Sequence, residues 1–97
     1  MLPITYLNPA KKYFKKLKEK PLKKLYFDKI QEIRIDPFIG ELKTGDLAGI
    51  YCCDIKYKGI NYELAYRLEE NQQREIIVVI MAGTRESFYL ELKKYLR

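Results

Sequence analysis

Histidine is absent from the 97 residues, and cysteine occurs only twice. With no histidine and no second cysteine pair, a zinc site is not expected, and no cofactor is called for. The two cysteines are neighbours, Cys52 and Cys53, inside a strand-like stretch. Strand alternation sends them to opposite faces, which argues against a mutual disulfide and for two small reduced strand residues. No apolar run approaches transmembrane length and no secretory signal is evident, so no membrane role is expected and the chain reads as cytoplasmic. Repeats and low-complexity tracts are missing too, apart from a lysine bias near the start. Acidic residues are outnumbered 19 to 13, giving a net charge of +6 and a pI near 9.3. That excess points to an anionic partner, whether nucleic acid, membrane surface or acidic protein, and says nothing of fold. A hydrophobic content of 47% argues against wholesale disorder, and residues 1–97 make one domain with little core to spare.

What is present is organised around the last quarter. Ile76-Ile77-Val78-Val79-Ile80-Met81 is an unbroken, mostly β-branched run, the pattern of a strand buried on both faces. After Gly83 the period changes. Phe88, Tyr89, Leu92, Tyr95 and Leu96 recur at helical spacing with Glu91, Lys93, Lys94 and Arg97 opposite, predicting a closing helix capped by Thr84 and held by Phe88, Leu92 and Tyr95. Earlier, Ile4–Leu7 reads as a short strand, and Asn8-Pro9 as a helix start with Asn8 as cap. Ala10, Tyr13, Phe14 and Leu17 form one apolar stripe, backed by Lys11, Lys12, Lys15, Lys16 and Lys18. Lys20-Pro21 restarts the helix. Leu22, Leu25, Tyr26, Ile30 and Ile33 make a second stripe that must end before Asp36-Pro37. A loop follows through Asp46.

From Leu47 to Leu68 the period is two. Tyr51, Cys53, Ile55 and Tyr57 line one face; Lys58-Gly59 turns the chain; Ile60, Tyr62, Leu64, Tyr66 and Leu68 return along the same face. Glu69 to Arg74 reads as a polar connection into the central strand. The order β-α-α-β-β-β-α predicts an α+β fold: an N-terminal helical hairpin packed on a small antiparallel sheet, with a C-terminal helix.

The other face of these strands is polar. Simple hairpin register sets Asp54 opposite Glu63, Lys56 opposite Asn61 and Ile50 opposite Arg67; the next hairpin sets Asn61 beside Ala82 and Glu63 beside Ile80. Lys56, Asp54, Glu63, Arg85 and Tyr89 then converge at one end. Facing carboxylates raise one another's pKa unless a cation intervenes, one way to prepare a proton donor. The plainer reading is a solvated face of weak cross-strand ion pairs.

Three stretches carry a family resemblance: Leu42–Tyr51 (LKTGDLAGIY), Tyr62–Arg67 (YELAYR) and Gly83–Tyr89 (GTRESFY). With the order of elements, they resemble the RelE/ParE superfamily of toxins from bacterial type II toxin–antitoxin systems, over essentially the whole chain. The resemblance implies a cognate antitoxin as partner. For RelE-like members it implies binding in the ribosomal A site and cleavage of messenger RNA, in which a 2′-hydroxyl attacks the neighbouring phosphate. Arg85 then corresponds to the arginine after the last strand and Tyr89 to the tyrosine near the C-terminal helix. Lys43 and Lys56 fall where the family places phosphate-binding lysines. Where RelE-like sequences often carry a third-strand arginine, this chain has Glu63, with Arg67 further along the same strand face. Some relatives have a histidine after the last strand; here Arg85 stands there, and arginine is a poor proton carrier, which leaves Glu63 as the candidate base.

Three functions therefore stand open from sequence. One is a ribosome-dependent mRNA endoribonuclease using Arg85, Tyr89 and Glu63, with Lys43, Lys56 and Arg67 on the RNA. The second is a non-enzymatic inhibitor of DNA gyrase, as in the ParE branch. The third is a plain basic RNA-binding module.

Overall fold

A computed structural model describes residues 1–72 and 74–97. Its elements are β1 (Ile4–Tyr6), α1 (Asn8–Lys16), α2 (Lys20–Ile35), β2 (Glu41–Leu42), a 3-10 turn (Gly45–Leu47), β3 (Tyr51–Tyr57), β4 (Ile60–Asn71), β5 (Arg74–Thr84) and α3 (Phe88–Leu96). The fold is α+β, as expected, with strand order β1-β5-β4-β3-β2.

The sheet is mixed and not purely antiparallel: β1 runs parallel to β5, pairing Ile4 with Ile77 and Tyr6 with Val79. Side-chain periodicity reports which face a residue occupies and is silent on strand direction, so sequence could not show this. Backbone bonds from Ile77 to Pro3 and from Leu7 to Val79 extend the pairing, and the Arg34 Nε bond to the Leu2 carbonyl ties it to the end of α2. The other ladders are antiparallel. The β3–β4 turn forms at Lys58-Gly59, both with positive φ (50° and 76°), the twist-matched turn that glycine favours in a two-residue hairpin.

Each sheet face has its own core. On one, α1 and α2 bury Ala10, Leu22, Tyr26, Ile30 and Ile33 against Cys53, Ile55, Leu64, Tyr66, Ile77 and Val79. On the other, α3 and the 3-10 turn bury Phe88, Leu92 and Leu47 against Cys52, Ala65 and Ile80. The central strand is thus buried on both sides, and the two cysteines do part to opposite faces.

Several local expectations shift. Leu25 and Ile60 are exposed, at 38% and 48%, and Tyr95, expected to hold α3, is 43% exposed. Ile60 opens β4 beside the hairpin turn and Tyr95 lies in the last turn of α3, each at the end of its element. The cap of α1 is Leu7, with Asn8 and Pro9 already inside the first turn. Thr84 ends β5, and α3 begins after Ser87, which holds a left-handed φ of 64° without a side-chain cap bond. The stretch expected as a polar connection, Glu69 to Arg74, is largely strand, because ladder bonds need backbone and not apolar side chains. Its turn therefore comes later, and a bulge between Ala65 and Tyr66 absorbs Ile80. Together these place Glu63 opposite Gly83 and Leu64 opposite Ala82, correcting the simple register by three residues.

Candidate functional site

The corrected register brings Glu63 to the end of β5. Asp54 and Glu63 are direct cross-strand partners, as expected, and Lys56 pairs with Asn61. The Arg85 amide donates to the Asn61 carbonyl (2.9 Å), so the residue that follows the last strand is anchored on β4. From behind, the Tyr26 hydroxyl of α2 lies within reach of the Glu63 and Gly83 carbonyls (3.3 and 3.5 Å), fastening the two strands where the site begins.

Glu63 is the one buried charged residue among those described, only 2% exposed. A carboxylate taken from water must be paired and hydrogen-bonded. Arg85 Nε donates to Glu63 Oε2 at 2.8 Å, and the Tyr89 hydroxyl donates to Oε1 at 3.0 Å. A second guanidinium nitrogen lies 3.6 Å from Asp54. The cation between the facing carboxylates is thus Arg85. Its side chain is about half exposed, so the rest of its donor fork opens to solvent.

Lys43 completes the group. β2 pairs with β3 through Glu41 and Cys52. The Lys43 ammonium, paired with Glu41, sits over the Tyr89 ring, 5.1 Å from its centroid. Glu41, Cys52, Asp54, Glu63, Arg85 and Tyr89 line an open recess of about 300 Å³. Burial pushes the Tyr89 phenol up to about 12, helped by the Cys52 thiol and the bond to Glu63, so it is a protonated hydroxyl at neutral pH. Burial likewise pushes the Cys52 thiol to about 11, keeping it un-ionised. The hydrogen bond to Glu63 raises Arg85, and the one to Glu41 raises Lys43; both are cations throughout the physiological range.

Two of the expected residues stand apart. Lys56 is exposed on the face of Asp54, one alternation further along and therefore roughly 7 Å on, at the rim and not in the lining. Arg67 shares the face of Glu63 but lies four residues, on the order of 13 Å, along β4, where its Nε is held by Glu69 at 2.6 Å.

A protein-family model described as "ParE-like toxin of type II bacterial toxin-antitoxin system" matches residues 4–93. The chain belongs to that family. The toxin's fold is also similar to solved structures. An E. coli RelE mutant in the free state superposes with a TM-score of 0.73 at 18% identity, covering 95% of this chain and 92% of that one. A YoeB/ParE toxin from Agrobacterium tumefaciens gives 0.70 at 16%, covering 87% and 99%. The intact E. coli RelBE toxin–antitoxin complex gives 0.66 at 22%, covering 86% and 95%. No curated protein matches the sequence.

The toxin's site includes residues that the sequence argument did not single out. Cys52 was already on the polar side by the alternation that placed Asp54 and Lys56 there. Glu41 carried no periodic signal, because a two-residue edge strand is too short to show one. No helix of the toxin, among the described residues, is long and apolar enough to cross a membrane.

Proposed function

We propose that the toxin is a ribosome-dependent mRNA endoribonuclease that halts translation. One observation carries this reading: an almost fully buried carboxylate gripped by a guanidinium and a protonated phenol at the floor of an open recess, with a lysine at its rim. Desolvating a carboxylate costs stability, and a chemical task accounts for keeping it. In the reaction the RNA 2′-oxygen bonds to phosphorus and the bond to the 5′-oxygen breaks. Tyr89 takes the 2′-hydroxyl proton as it passes its own to Glu63, so the buried carboxylate is the final acceptor. The outward donors of Arg85, with the Lys43 ammonium, meet the charge that builds on the phosphate oxygens. The 5′-oxygen takes its proton from water in the open recess. Lys56, at the rim, contacts the RNA backbone, and Arg67 contacts it further along the strand.

A second reading, inhibition of DNA gyrase without catalysis, is favoured by the charge of the recess. It carries three carboxylates, Glu41, Asp54 and Glu63, against two cations, Arg85 and Lys43, which is little positive charge for a phosphate site. Either way a cognate antitoxin is the expected partner: an acidic, partly disordered segment that folds on the basic surface and covers or displaces α3. Mapping 5′ ends on message bound to purified ribosomes, beside a gyrase supercoiling assay, decides between the two. New 5′ ends that require the toxin support cleavage; intact message with lost supercoiling overturns it.

A further inference from the structure

Lys43 reaches the recess from a segment with few attachments. Between the end of α2 at Ile35 and the start of β3 at Tyr51, regular pairing is limited to Glu41-Leu42 on the sheet's outer edge, and both residues are exposed. The core contacts of this connection, Leu47 and Ile50, come after Lys43; before it Ile35, Phe38, Ile39 and Leu42 are 72%, 62%, 41% and 54% exposed, so apolar burial does little to hold residues 35–42. One side chain from the sheet interior does. Tyr66, fully buried in β4 and stacked on Tyr51 at 5.3 Å, donates its hydroxyl proton to the Pro37 carbonyl (2.8 Å) and accepts the Gly40 amide (3.1 Å). The fit is close: a Cβ on Gly40 would lie 2.8 Å from that hydroxyl oxygen and 3.1 Å from the Tyr51 Cβ. Gly40 has no positive φ, so glycine stands there for room and not for backbone conformation.

We infer that the Tyr66 hydroxyl is a positioning residue for the toxin's reaction: from the opposite face of the sheet it latches the Pro37–Gly40 turn, and so sets where Lys43 stands over Tyr89. This rests on the cleavage reading proposed above. Tyr66 touches no RNA. Three residues after Gly40, the Lys43 amide bonds the Ile50 carbonyl (2.8 Å) and its ammonium reaches the Tyr89 ring, so the turn fixes one end of the short strand leading to Lys43 and Ile50 fixes the other. Phenylalanine preserves the ring, the stack and the core and deletes only the latch.

Two measurements test this. Hydrogen exchange, independent of any activity, compares the toxin with Tyr66→Phe: the Gly40 and Lys43 amides should exchange at least about tenfold faster, with Ile77–Ile80 unchanged. Cleavage of ribosome-bound message then reads the consequence. Lys43→Ala should lose on the order of 10- to 100-fold in rate, as expected for a charge-assisted contact. Tyr66→Phe should lose a smaller factor, roughly 3- to 30-fold, and the double variant no more than Lys43→Ala alone. Gly40→Ala, which crowds the latch from the loop side, should repeat the Tyr66→Phe pattern if that variant folds poorly. Unchanged exchange, or losses that multiply in the double variant, overturns the inference. Faster exchange in a toxin that cuts nothing leaves the latch standing and refutes the cleavage reading instead.

Discussion

Replacing Arg85 tests the proposed chemistry and the buried ion pair separately, because the cleavage reading assigns it the first and the structure shows it in the second. Arg85→Ala removes the donors that face the recess, and loss of one preorganised donor to a developing oxyanion typically lowers rate about 10²- to 10³-fold. It also leaves Glu63, at 2% exposure, without its cation. Stranding a fully buried charge costs about 3–5 kcal/mol. The half-exposed arginine leaves a gap that water can enter, so we expect about 1–3 kcal/mol for Glu63 here. In a domain of this size each kcal/mol moves Tm by roughly 4–8 °C, giving a fall of roughly 5–20 °C while the protein stays folded at room temperature. Adding Glu63→Gln removes the stranded charge and should return most of the lost Tm. The rate is measured under single turnover on programmed ribosomes at about 25 °C, where Arg85→Ala is folded, so that unfolding cannot imitate catalysis. Arg85→Lys should recover little rate, since a point charge lacks the fork that grips Glu63 and a phosphate together. An Arg85→Ala rate within about threefold of wild type refutes the catalytic role, and a Tm that Glu63→Gln does not restore refutes the buried-charge argument.

Leu92→Ala, in the fully buried contact of α3, should cost about 2–5 kcal/mol in denaturant unfolding, whereas Tyr95→Ala should cost no more than about 0.5 kcal/mol. Reversing the exposed Lys12, Lys15 and Lys16 to glutamate should weaken ribosome binding and flatten its salt dependence by about one unit of slope per lost phosphate contact; an unchanged slope would make the run a solvated surface. Burial lifts the Tyr89 phenol from 10.0 to about 12, so its contribution to stability is present below pH 10 and lost as pH rises through about 12. Over that interval wild-type stability should fall more steeply than that of Tyr89→Phe, and parallel curves would contradict the assignment.

Much of this was legible in the sequence for definite reasons. Alternation from Tyr51 to Leu68 assigned faces correctly, down to the parting of Cys52 and Cys53, because a half-buried strand must alternate. The Asp54–Glu63 pairing followed from a two-residue turn at Lys58-Gly59, which leaves little freedom of register. The register of the second hairpin is not legible in the sequence, because β4 and β5 pair through polar residues and carry a bulge at Ile80, neither of which has a hydrophobic signature. The parallel seat of β1 depends on a partner some seventy residues away, and no local pattern encodes it. The site was half visible. Arg85 and Tyr89 come from one short stretch, but that both converge on a buried Glu63, while Arg67 turns to Glu69, depends on register and burial that only the assembled sheet defines.

The pairing of β1 with β5 bears on how the protein is made. The first strand finds its partner only when residues 77–79 have been synthesised, and Glu63 gains its two donors only when positions 85 and 89 exist. Until then the nascent chain has neither a closed sheet nor an assembled recess. Order therefore arrives late and nearly at once, through contacts distant in sequence that close slowly. No amino-terminal fragment that stops short of Tyr89 contains the recess, so on the cleavage reading a product of interrupted synthesis that ends before Tyr89 should be inert. That reading would couple activity to synthesis of the last strand and helix, a safeguard residing in the order in which the chain is threaded.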